Sequence, residues 1–236
     1  MPPARLPDLL TCHLGVIDYG EALEIQERLR ARRQADEVGD VLVLLEHPPV
    51  YTRGRRSRPG ELPMGESWYR AQGIDVVETD RGGRVTYHGP GQLVGYPVMR
   101  VQDVLVHVRT LERAVVAALG EEGIAARART EEGADYTGVW VQERKIASIG
   151  VHVARGVSTH GFAVNVENDL QPFEWVVPCG LEGVRMTSLI KERHDPAPGA
   201  LSSFRDTVAR CVAQAFGRTP RAIDARALGL APLPSA

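Results

Sequence analysis

The chain has 236 residues, 43% of them hydrophobic and 25% charged, which is ordinary globular composition with enough length for one substantial core. A net charge of −2 excludes the broad positive field on which general nucleic-acid binding depends, and no apolar run approaches the ~20 residues of a membrane span. The start, "MPPARLPDLL", lacks the charged opening and long apolar stretch of a signal peptide, so neither nucleic acid nor membrane is expected as a partner and the expected location is cytoplasmic.

In chain order, "YGEALEIQERLRARR" (Tyr19 to Arg33) places Tyr19, Ala22, Leu23 and Leu29 on one helical face. "VLVLLEH" (Val41 to His47) reads as a buried strand ended by Pro48 and Pro49. Runs rich in Val, Tyr and Thr at Asp75 to Thr79, Arg84 to Tyr87 and Gln92 to Met99 read as strands divided by glycine turns. From Val104 to Leu119 the apolar residues follow helical spacing, with Asp103 placed to cap the start. Three strands follow, at Thr137 to Gln142, Lys145 to Val153 and Val157 to Val166, joined by tight hairpins around Glu143-Arg144 and Ala154-Arg155-Gly156. A last helix, Leu201 to Phe216, turns Leu201, Phe204, Val208, Val212 and Ala215 inward, and "PLPSA" is a loose tail. The order predicts an α/β (α+β) domain of mixed sheets packed with helices.

The segment "RGGRVTYHGPGQLVGYP" carries four glycines within twelve residues. Glycine serves where backbone must take positive φ or approach a ligand closely. It matches neither the GxxxxGK[ST] nor the GxGxxG pattern, so a ligand loop and a structural turn both stay open. Arg53, Arg55, Arg56 and Arg58 form a local basic cluster, either a solvated loop or a contact for an acidic partner.

Three cysteines, an odd number without a CxxC pair, argue against a disulfide framework and a zinc ribbon. Cys211 on the last helix and Cys12 in an apolar run read as core residues. Cys179 stands between Pro178 and Gly180, where a sharp turn lets a side chain project; it is either a nucleophile or a structural loop cysteine. A thiol of pKa ~8.5 is only about 3% thiolate at pH 7, so a nucleophilic role needs a cation or base nearby. Only Lys145 and Lys191 are lysines among 28 basic residues, and lysine, unlike arginine, can shed its proton near neutral pH. The seven histidines show no metal-ligand spacing, and no metal is expected.

Taken in order, "EHPPVYTRGRR", "RGGRVTYHGPGQLVGYPV", "GVWVQERKIASIGV", "THGFAVNVENDLQPFEWVVPCG" and "MTSL" resemble the successive motifs of the lipoyl(octanoyl) transferases, from about Gly15 to about Phe216. The resemblance implies the fold of biotin and lipoate protein ligase catalytic domains, as one domain over residues 1–236 with a core at about 15–216 and a tail at 217–236. It implies transfer of an octanoyl group from octanoyl-acyl carrier protein to a lysine of lipoyl domains, in 2-oxoacid dehydrogenase complexes or the glycine-cleavage carrier protein, with no cofactor. It implies a catalytic pair at Cys179 and Lys145. It also implies an acyl pocket lined by Arg81, Gly82, Gly83, Arg84, Val85, Thr86, Tyr87 and His88, by Ser148, Ile149 and Gly150, and by Gly161, Phe162 and Ala163. On that reading Tyr87 and His88 close the reacting end, with His88 or the backbone near Gly180 as oxyanion donors. An ATP-dependent ligase of the same fold and a non-catalytic acyl-binding module are the rivals. Cys179 with Lys145 argues against both.

Overall fold

The computed structural model of the chain describes residues 7–177, 183–193 and 199–230. Strand β1 (Asp8–Val16) leads into helix α1 (Tyr19–Gln34), whose N-cap Asp18 accepts from Gly20 N–H at 2.8 Å. Two strands follow, β2 (Val41–Glu46) and β3 (Val50–Arg53), then a short helix α2 (Glu66–Ala71). Next come β4 (Asp75–Glu78), β5 (Thr86–His88) and β6 (Gln92–Val98). Helix α3 (Val104–Glu121) is capped by Asp103, as the sequence predicts, through a 2.9 Å bond from Val106 N–H. After β7 (Arg127–Ala128) come β8 (Gly138–Val141), β9 (Arg144–Ala154) and β10 (Val157–Asn165). The chain then forms β11 (Arg185–Met186), α4 (Leu189–Arg193), α5 (Ala200–Ala215) and β12 (Thr219–Ala222).

The large sheet runs β12-β1-β2-β6-β10-β9-β8-β7, and β11 joins the end of β9 that β10 leaves uncovered. Only β1 and its two neighbours, and the β11–β9 pair, are parallel in it. The strands β4-β3-β5 make a separate small sheet. Mixed sheets with helices are thus what the chain forms.

Alternation along β2 explains the layering. Leu42 and Leu44 face the core under α3 and α5, whereas Val41, Val43 and Leu45 face the core under α1. A continuous apolar run was required because both faces of this strand are covered. Each fully buried Leu or Val contributes about 1.5–3 kcal/mol. A third, aromatic core of Tyr51, Tyr69, Tyr87 and Phe173 lies behind the small sheet.

Cys12 and Cys211 are core residues, as expected, at 2% and 4% exposure. On α1, Ile25 and Gln26 are buried in addition to Tyr19, Ala22 and Leu29. On α5, Cys211 and Ala213 are buried while Ala215 faces solvent. Because β1 begins at Asp8 and β12 lies at 219–222, the sheet extends at both ends beyond residues 15–216. No helix among the described residues is long and apolar enough to cross a membrane.

Candidate functional site

The neighbouring strands β9 and β10 of the large sheet pair so that Gly150 faces Gly161 and Ser148 faces Ala163. The loop between β4 and β5 lies over them, fixed by Gly82 N–H donating to Val151 O at 3.0 Å. A side chain at Gly150 would put its Cβ 2.5 Å from the Gly82 carbonyl oxygen, so this close approach of loop to strand requires glycine there. Arg81 is anchored from the loop into the small sheet: its Nη2 donates to Thr52 O and Thr52 Oγ1, both at 2.7 Å. Between loop and strands is a cleft of about 600 Å³, counting its open mouth.

Lys145 reaches this cleft through a β-bulge. Val139 pairs with Ala147, but Trp140 pairs with Lys145, leaving Ile146 as the extra residue of β9. Below the bulge the inward face switches parity: Ala147, Ile149 and Val151 pack on the α3 core, and so does Ile146. Lys145 is thereby turned to the cleft face together with Ser148 and Gly150. Its side chain is 1% exposed; Nζ donates to Thr137 O at 2.9 Å and lies 5.3 Å from the Trp140 ring centre.

Two segments frame the mouth. Asp135 lies 3.2 Å from Arg56 Nη1 and 3.7 Å from Arg84 Nε, joining the 134–137 segment to the loop. Arg84 also pairs with the buried Glu61 at 2.8 Å, and Glu61 O accepts from Val177 N–H at 3.0 Å. Farther along the chain, Met186 is in register with Lys145 and Thr187 N–H donates to Lys145 O at 2.9 Å. Cys179 itself lies outside the described residues, as does the backbone near Gly180.

The inner part of the cleft is polar, and Thr86 Oγ1 and His160 Nδ1 are buried there without a hydrogen-bond partner among the described residues. His47 donates through Nδ1 to Ile17 O at 2.7 Å, so its Nε2 accepts from the Tyr96 hydroxyl, also at 2.7 Å. His160 pairs through Nε2 with Asp80 Oδ1 at 2.7 Å. Burial lowers both imidazoles to about 4, and burial holds His88 well below its ordinary value, so all three are neutral at pH 7.

Of the residues named from sequence, Arg81, Gly83, Arg84, Val85, Thr86, His88, Lys145, Ser148, Ile149, Gly150, Gly161, Phe162 and Ala163 line this one cleft. Gly82 does not line it; its backbone makes the contact with β9. Tyr87 points the other way, into the aromatic core, with ring centres 5.5 Å from Tyr51 and 5.4 Å from Phe173. The expectation that Tyr87 closes the reacting end is therefore corrected: alternation along β5 sends it opposite to His88. Burial pushes its hydroxyl up to about 12. Tyr19, Val94, Tyr96, Thr137 and His160 line the cleft without having been named as site residues. Tyr19 and Tyr96 were legible only as apolar positions of a helix and a strand.

The profile of the lipoyl protein ligase A/B catalytic domain matches residues 18–214. An octanoyltransferase of Solibacter usitatus is 51% identical over 172 residues, covering 71% of this chain and 76% of that protein. One from Acidobacterium capsulatum is 38% identical over 222 residues, covering 87% and 89%. Among solved structures, the bi-partite lipoate protein ligase from Thermoplasma acidophilum superposes with a TM-score of 0.67 at 19% identity, over 93% of this chain and 87% of that one. A lipoate-protein ligase A bound with ATP gives 0.67 at 18% identity, over 95% and 92%. At such identities these two structures speak for the fold, which is that of the lipoate-protein ligases. With the profile spanning most of its length and relatives of 38–51% identity, the chain belongs to the lipoyl protein ligase A/B catalytic domain family.

Proposed function

We propose that this protein is an octanoyltransferase acting in protein lipoylation, taking octanoyl from acyl carrier protein and delivering it to a lysine of a lipoyl domain. The relatives that bear this name match at 38–51% identity over most of the chain. The structural observation that carries the reading is Lys145: a buried lysine aimed by a bulge into a glycine-floored cleft.

In the first half-reaction Cys179 attacks the carrier-bound thioester carbon. A new carbon–sulfur bond forms, the bond to the carrier's phosphopantetheine sulfur breaks, and that sulfur leaves with the proton that Cys179 gave up. One thioester replaces another, so no ATP is needed. In the second half-reaction the lysine amine of the lipoyl domain attacks, the carbon–nitrogen bond forms and the bond to Cys179 breaks. Lys145 takes the thiol proton in the first step and the amine proton in the second, a role arginine cannot fill near neutral pH.

The test is incubation of the purified protein with octanoyl-acyl carrier protein and a lipoyl domain, without ATP, followed by mass spectrometry of the domain. Octanoylation of one lysine is expected. Modification only with free octanoate and ATP would instead favour a ligase.

A further inference from the structure

His88 ends strand β5 inside the cleft, and a chain of amides fixes where its proton sits. Asn165 Nδ2 is 3.0 Å from Thr187 O; a carbonyl only accepts, so the NH2 of Asn165 faces Thr187 and its Oδ1 faces Gln92. Gln92 Nε2 donates to that oxygen at 2.9 Å and to Tyr87 O at 3.1 Å. Gln92 Oε1 is thereby turned to His88, 2.7 Å from Nδ1, and the hydrogen of that bond belongs to the imidazole. Every amide in the chain is oriented by a backbone carbonyl.

The groups facing His88 are the Tyr19 ring, 5.9 Å away, the His47 ring, 5.6 Å away, the Arg81 guanidinium and the neutral His160 imidazole. Burial, with His47 and Arg81, keeps the ring neutral. A neutral ring with its proton on Nδ1 presents a lone pair at Nε2. Nε2 makes no hydrogen bond among the described residues. His88 is consequently an acceptor in the cleft and does not serve as an oxyanion donor.

We propose that Gln92 is a positioning residue that fixes the proton of His88 on Nδ1, and that His88 Nε2 accepts a hydrogen bond from the amine of the acyl acceptor during transfer. This rests on the octanoyltransferase reading. The attacking amine has two N–H bonds: one proton passes to Lys145, and the other stays on nitrogen, held by His88. That contact turns the nitrogen lone pair toward the thioester carbon. Acylation of Cys179 involves no acceptor amine and is independent of this contact.

The test combines a spectrum and a rate. Two-bond proton–nitrogen correlation on histidine-labelled protein, between about pH 5.5 and 8, should show wild-type His88 neutral with its proton on Nδ1, and Gln92→Leu should move population to the Nε2–H form. Single-turnover transfer from the octanoyl-enzyme should then slow about tenfold in Gln92→Leu, the worth of one hydrogen bond, with acylation within about twofold of wild type. His88→Gln, which keeps an acceptor near the Nε2 position, should retain more transfer than His88→Asn, which replaces only the Nδ1 side. A wild-type proton on Nε2, an imidazolium in that range, or equal loss in both half-reactions overturns the inference. If wild-type protein takes no acyl group at all, the transferase reading fails, while the spectrum still decides the tautomer.

Discussion

Gly138 stands directly against Lys145: a Cβ built on Gly138 would lie 2.7 Å from Lys145 Cε and 2.4 Å from Ala147 O. The same residue has φ of +137° and donates its N–H to the fully buried Glu112 carboxylate at 3.0 Å. Gly138→Ala is therefore expected to strain the backbone by about 1–3 kcal/mol and to displace the lysine. Denaturant midpoints should fall, and both half-reactions should slow at least about tenfold in protein that remains folded. Unchanged rates would remove Gly138 from the support of Lys145.

Lys145→Arg keeps the positive charge and removes the proton-accepting amine. Octanoyl-enzyme should accumulate slowly and pass little of its acyl group to a lipoyl domain, whereas Lys145→Ala should impair both half-reactions. Arginine is bulkier and the site is closed by Gly138 and Trp140, so circular dichroism must show the variant folded. Wild-type transfer from Lys145→Arg would rule out Lys145 as the base.

The lysine shows how much of the site the sequence carried. Its place at the start of a strand beside a hairpin was readable, and the clustering of the glycine segment with the paired strands followed from the family resemblance. The bulge at Ile146 was not, because "RKIASIGV" alternates in a way that fits either face until pairing with β8 fixes the register. The parallel edge formed by β1 and β12 was also hidden, since "DLLTCHLGV" and "TPRA" are joined only by tertiary placement. Tyr87 illustrates the opposite failure: the family resemblance implied a residue at the reacting end, yet alternation along β5 turns Tyr87 into the aromatic core and gives the cleft to His88.

The basic cluster divides once its partners are seen. Arg53 pairs with Glu66 at 2.7 Å and Glu78 at 3.0 Å, and Arg56 pairs with Asp135, so these two are committed within the chain. Arg55 and Arg58 make no ion pair among the described residues and are exposed. Reversing both to glutamate should raise the KM for an acidic carrier protein several-fold, with a salt-sensitive effect, and leave a small thioester donor unaffected. An equal effect on both donors would place them in the fold or the pocket.

Acid should destabilise the protein early. His47, His107 and His160 are buried, and each has a folded pKa lowered by burial to about 4, whereas unfolded histidine titrates near ~6.5. Between those values the unfolded chain binds more protons, so stability is full above pH ~6.5 and falls as pH drops toward 4. Each group costs about 1 kcal/mol by pH 5.5. His107 packs on Phe216 with ring centres 5.0 Å apart and lines no part of the cleft, so His107→Leu should flatten the dependence of the denaturant midpoint between pH 7 and 5.5. An unaltered slope would show that His107 titrates alike in both states.

The covalent step is the centre of the account, and intact-protein mass after incubation with octanoyl-acyl carrier protein, without ATP, tests it most directly. Wild type, Cys12→Ala and Cys211→Ala should each gain one octanoyl group, and Cys179→Ala should gain none and transfer none. Normal acylation and transfer by Cys179→Ala would contradict the mechanism.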